Sequence, residues 1–145
     1  MSRKKARESA VLLLYHWDMA GDEDANIHTT LGETVQGEVL SPDALNDDDR
    51  EYIQSVIDGV RANVTELDQS IEEEAVAWKL NRLPKVDLAV LRLGTYELLH
   101  RTDIPGAVTI NECVELAKQY STENSGMFVN GVLSTIFKKH TAHAQ

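Results

Sequence analysis

Apolar residues recur along this chain at spacings of three and four, the period of a helix that turns one face to a core. Ala6, Ala10, Leu13, Leu14 and Trp17 predict a first helix over about 3–20, ended by Gly21 and the acids after it. Ile27, Leu31 and Val35 predict a weaker helix over 25–35, and 36–45, with Gly37, Ser41 and Pro42, reads as a loop. Asn46 is placed to cap a helix carrying Asp47, Asp48 and Asp49 in its first turn, where the helix dipole favours negative charge. That helix presents Ile53, Val56, Ile57 and Val60 on one side. Thr65 and Asp68 have the spacing of a capping box, opening a helix with Leu67, Ile71, Ala75 and Trp78.

Pro84 suits the first position of the next helix, in which Val86, Leu88, Val90, Leu91, Leu93, Leu98 and Leu99 cover most sides. Only Asp87, Arg92 and Glu97 interrupt it, so this helix is expected to be central and most buried. Ile104-Pro105-Gly106 reads as a connector, and Thr109 with Glu112 as a second capping box, before a helix ending near Tyr120. Phe128, Val129, Val132, Leu133, Ile136 and Phe137 define the last helix, and 138–145 reads as a frayed tail with nothing to bury. No β-type alternation competes. The expected fold is all-α, with about seven helices in a single domain over 1–145.

A length of 145 residues and a hydrophobic share of 42% suit one core built without staples. The one cysteine, Cys113, excludes an internal disulfide and a four-thiolate zinc site, and a small buried core thiol is its expected role. No apolar run approaches the ~18–20 residues of a membrane span. Arg3, Lys4 and Lys5 before the apolar run 10–14 resemble a signal-peptide start, but Arg7 and Glu8 interrupt it and no cleavage signal follows. A cytoplasmic protein is expected. The five histidines lack a metal-site spacing, the pair His140 and His143 reading as tail residues. No nucleophile motif and no phosphate-binding glycine loop is present, so neither catalytic residues nor a cofactor or metal are expected.

Charge changes the picture more. The total is −10, yet 1–17 is +3, 18–74 is −15 with seventeen acids against two arginines, and 75–145 is +2. A basic helix and a mildly basic C-terminal half leave polyanion contact open if they form one face. Arg3, Lys4, Lys5 and Arg7 concentrate four cations in about one and a half turns. Two readings stand for them: a solvated helix start, or a site that neutralises phosphates and stacks on unpaired bases. Tyr15, two turns on at the edge of the apolar face, is boundary packing or a base contact. On the RNA-binding reading, replacing all four cations by alanine weakens binding and leaves helicity nearly intact.

Further segments identify a family. Val86-Asp87-Leu88-Ala89-Val90-Leu91-Arg92, Tyr96-Glu97-Leu98, Ile104-Pro105, Ile110-Asn111-Glu112, Glu115-Leu116-Ala117-Lys118 and Phe128-Val129-Asn130-Gly131-Val132-Leu133 closely resemble the NusB family of transcription antitermination factors. The opening Arg7-Glu8, Ala10 and Leu13-Leu14-Tyr15 matches too, so the resemblance runs from Arg3 to about Phe137, with 20–50 unmatched. It implies two small helical bundles packed together, pairing with NusE, a small-subunit ribosomal protein, and binding to boxA RNA. The implied assembly makes RNA polymerase read through terminators, notably in ribosomal RNA operons.

By this resemblance Arg3, Lys4, Lys5 and Arg7 form an arginine-rich RNA-binding motif, Tyr15 touches a base, and Asp87 and Phe128 make further RNA contacts. Two lysines inside the motif keep the charge but lose the planar fork of arginine. On the residues alone, Asp87 also suits a first helical turn, Phe128 also suits the core, and Arg92 is a paired structural arginine or an RNA contact. Asn130 is expected at a helix junction and Gly131 at a close helix contact. Two rival classes are the helical module of a ribosomal RNA methyltransferase, which requires an α/β domain downstream of Gln145 and is decided by whether the reading frame is complete, and a pure protein-interaction module or homodimer. Steep salt dependence of RNA binding separates the RNA reading from the last.

Overall fold

The computed structural model describes residues 3–20, 46–75 and 82–144, and every regular element among them except one residue of 3-10 helix, Arg82, is α-helical. In chain order these are α1 (Arg3–Ala20), α2 (Asp47–Ala62), α3 (Val64–Glu74), α4 (Lys85–His100), α5 (Gly106–Tyr120) and α6 (Glu123–Ala144). The helix expected over 25–35, and Trp78 at the end of the fourth, lie outside the described residues. The last helix runs on through Ala144, and its Lys139 pairs with Glu74 of α3.

Helix α4 touches all five others; around it α1 packs on α2, α5 packs on α6, and α3 lies chiefly against α4 and α6. The apolar pattern explains this: Leu88, Ala89, Val90, Leu91, Leu93 and Leu98 of α4 are all buried. Around them lie Ala6, Ala10, Leu13 and Leu14 of α1, Ile53, Val56, Ile57 and Val60 of α2, and Val129, Val132, Leu133 and Ile136 of α6. The three charged residues that interrupt its apolar surface, Asp87, Arg92 and Glu97, are buried and tie α4 to the helices around it. Asp87 accepts from Ser125 Oγ of α6 at 2.8 Å. Arg92 forks onto Asp68 of α3, at 2.8 and 2.9 Å, and reaches Asp18 of α1 at 3.4 Å. Glu97 joins α1, α2 and α5, as described below.

The Asn46 cap forms as expected: its side chain accepts from the Asp49 amide at 2.8 Å, and Asp49 closes the capping box. The other two expected boxes do not form. Helix α3 starts at Val64 without a side-chain cap, and Asp68 is spent on Arg92. Helix α5 starts at Gly106 after Pro105, so Thr109 and Glu112 are interior, and Thr109 donates to Glu97 instead. Pro84 sits at the N-cap of α4, one residue before the expected place. Cys113 is the buried core thiol expected of it, and burial pushes its pKa up.

The close helix approach expected at Gly131 falls at Gly94. A Cβ on Gly94 would lie 2.7 Å from Leu133 Cδ1 and 3.0 Å from Cys113 Sγ, whereas one on Gly131 would meet nothing within 4 Å. Asn130, likewise, is exposed within α6 and accepts from Ser134 one turn on, not at a helix junction. Gly131 therefore costs backbone entropy with no packing return. Gly131→Ala is expected to raise stability by about 0.5–1 kcal/mol in urea unfolding, and an unchanged or lower midpoint would show that Gly131 has a role in this fold.

Candidate nucleic-acid interface

The first turn of α1 carries Arg3, Lys4 and Lys5, all exposed, with no acid among its first residues. The amides of a helix start point toward solvent and its dipole adds positive potential, so the turn is disposed toward anions. Beside it a groove of about 430 Å³ runs between α1 and the α4–α5 connection, lined by Arg3, Lys4, Arg7, Arg101, Asp103 and Glu112 among others.

Arg7 does not join the exposed set. Its side chain is 3% exposed, and it forks onto Glu97, which is 0% exposed, with Nε 3.0 Å from Oε2 and Nη2 3.0 Å from Oε1. The same carboxylate accepts from Thr109 Oγ1 at 2.7 Å and from the Tyr52 hydroxyl. Burial works against the Arg7 charge, yet the Glu97 hydrogen bonds and charge overcome it and raise the pKa. Burial, and then the Glu97 charge, push the Tyr52 phenol up, so it stays a donor. This cation belongs to the frame. Its place explains why: Arg7 stands three and seven residues before Ala10 and Leu14, on the face that packs inward.

Tyr52 also offers its ring to the surface cations. The Arg3 guanidinium lies 4.4 Å from the ring centroid and that of Arg101 lies 5.6 Å from it. Stacking of this kind fixes Arg3 at the edge of the groove while its donors stay available. Lys4 and Lys5 make no ion pair among the described residues and stand as exposed point charges.

The remaining predicted residues separate. Tyr15 is half-buried and packs against the core. Arg92 is the paired structural arginine of the two readings, its guanidinium also 5.7 Å from the Trp17 ring. Asp87 and Phe128 come together in a second pocket of about 190 Å³, with Leu83, Pro84, Asn124 and Ser125. Ser125 serves Asp87 Oδ2, and the buried Oδ1 has no donor among the described residues. A buried acceptor left unsatisfied beside a half-exposed aromatic ring suits a flat group with an N–H on its edge. No cluster of three or more metal-ligating side chains occurs among the described residues.

The NusB family profile matches residues 4–138. The transcription antitermination protein NusB of Ruminiclostridium cellulolyticum is 45% identical over 139 residues, covering 95% of this chain and 90% of that protein. The one from Acetivibrio thermocellus is 46% identical over the same length. This chain belongs to the NusB family. Among solved structures, T. maritima NusB superposes with a TM-score of 0.83 at 38% identity, covering 97% of this chain and 93% of that one. The NusB-like chain in a complex of antitermination factors NusB and NusE with dsRNA superposes with a TM-score of 0.80 at 34% identity, covering 94% and 96%.

Measured against this NusB-type fold, sequence reasoning missed Arg101 at the groove, Tyr52 as the ring that Arg3 and Arg101 share, and the hub role of Glu97. A signal for Glu97 existed: an acid inside an otherwise apolar helix must find a buried cation, and Arg7 stands on an inward-facing stripe. Nothing local in the sequence signals Tyr52 or Arg101, because their places depend on helices meeting across 45 residues and more.

Proposed function

We propose that this protein is a transcription antitermination factor that binds boxA-type single-stranded RNA of nascent transcripts together with NusE. The pair acts within an RNA polymerase assembly in the cytoplasm and promotes read-through, notably in ribosomal RNA operons. The observation that carries this reading is the exposed Arg3-Lys4-Lys5 turn, stacked at one end on Tyr52 and opening on a groove. Membership of the NusB family and the likeness to a NusB–NusE complex with dsRNA support it. The phosphates belong to this turn. Bases belong to Tyr15 and to the Asp87–Phe128 pocket, whose unsatisfied carboxylate oxygen takes an N–H from a base edge.

A net charge of −10 sets long-range repulsion against the local basic turn. A basic ribosomal partner reverses that field and adds contacts of its own. Labelled boxA RNA titrated at moderate salt is therefore expected to bind the pair about tenfold or more tighter than this protein alone. Equal affinity with and without NusE would overturn the cooperative reading and leave a stand-alone RNA-binding protein. RNA binding by neither mixture, with self-association instead, would leave a protein-interaction module.

A further inference from the structure

The groove beside α1 holds more positive charge than it shows. Arg101, which the family argument did not assign, lines it together with Arg3 and Lys4. Its guanidinium and that of Arg3 both lie within 6 Å of the one Tyr52 ring. Arg7 is spent on Glu97, so Arg3, Lys4 and Arg101 are the cations that face the groove, against Asp103 and Glu112. Arg101 is itself covered. Its Nε lies 3.0 Å from Asp103 Oδ1 and its Nη2 2.9 Å from Oδ2, a two-point fork, while Nη1 donates to Ser55 Oγ at 3.2 Å.

The same fork is the geometry in which arginine takes a phosphate. The pair is also local and exchangeable. Arg101 and Asp103 stand two residues apart in the α4–α5 turn, closed by the Ile104 amide on the Arg101 carbonyl at 3.2 Å. Asp103 is 63% exposed against 22% for Arg101, so the carboxylate can leave into water while the guanidinium stays propped on Tyr52 and Ser55. Losing Asp103 from the fork breaks no contact between helices.

We propose that Asp103 is a built-in stand-in for a phosphate: it fills the Arg101 fork in the free protein and is displaced by an RNA backbone phosphate. Arg101 is then a further RNA-contact residue, continuing the Arg3-Lys4 line across the groove, and Asp103 is a brake on affinity. The inference rests on the RNA-binding reading and adds to it a residue that binds and a residue that restrains. A solely structural Arg101–Asp103 pair predicts loss or indifference when Asp103 is changed. The exchange predicts a gain.

The test is a titration of labelled single-stranded boxA-type RNA with the full chain, alone and with NusE, at several salt concentrations. Asp103→Asn is expected to bind about threefold or more tighter than the wild type. Glu72→Gln, which removes an exposed acid on α3 with no ion pair among the described residues, controls for net charge and is expected to change affinity much less. Arg101→Gln is expected to bind more weakly with a salt slope shallower by about 0.7. In the Arg101→Gln background, Asp103→Asn should give no further gain. A gain no larger than that of Glu72→Gln, or one that persists without Arg101, overturns the inference. If Arg101→Gln melts early, the comparison of Asp103→Asn with Glu72→Gln decides alone. Salt-independent binding that also ignores replacement of Arg3, Lys4 and Lys5 would sink the RNA-binding reading itself, which is a different result.

Discussion

Arg7→Met is expected to destabilise the protein by about 3–5 kcal/mol, the range seen when one partner of a buried ion pair is removed. The substitution keeps the aliphatic volume and deletes the charge, leaving the Glu97 carboxylate fully buried with only the Tyr52 and Thr109 hydroxyls as donors. Two neutral donors do not offset the desolvation of a carboxylate. Pairing Arg7→Met with Glu97→Gln should cost less than the two single changes together, because the double variant buries no unpaired charge. Urea unfolding of the four proteins measures this. Additive losses would mean that the two residues act independently, contrary to their 3.0 Å contacts.

Replacing Arg3, Lys4 and Lys5 by alanine, with Arg7 kept, is expected to weaken RNA binding by tenfold or more at low salt, about 1.4 kcal/mol or more for several lost phosphate contacts. The three side chains are exposed, so the melting temperature should hardly move. The expectation that all four cations could be removed at little cost to helicity does not survive the structure. Including Arg7 is expected to destabilise the fold, so lost binding would no longer report on the surface cations alone.

What was legible in the sequence was what short-range periodicity controls. The apolar surround of α4, the stripes of α1 and α2 and the Asn46 cap all follow from residues within a turn or two of each other. The pairing of polar residues was not. Glu97 meets Arg7 across 90 positions and Arg92 meets Asp68 across 24, and no local pattern names such partners. The false capping boxes have the same origin. Thr109 and Asp68 fit a cap spacing, but both are interior residues whose side chains serve tertiary partners, Glu97 and Arg92.

The basic cluster was legible as a cluster and not as a surface. Charge density along 3–7 is visible in the residues, whereas the division into three outward cations and one inward one depends on which side of α1 meets α4. The Asp87–Phe128 pocket shows the reverse case. The family resemblance names both residues, and packing of α6 on α4 supplies the reason they can act together.

The central claim is that Arg3, Lys4 and Lys5 carry the phosphate contacts while Arg7 holds the fold. The most direct test is the salt dependence of boxA RNA binding by the NusE pair, comparing the wild type with the variant in which those three residues are alanine. The account predicts a log–log slope shallower by about 2 in the variant, at an unchanged melting temperature. An identical slope would contradict it and place the phosphate-binding face elsewhere on the molecule.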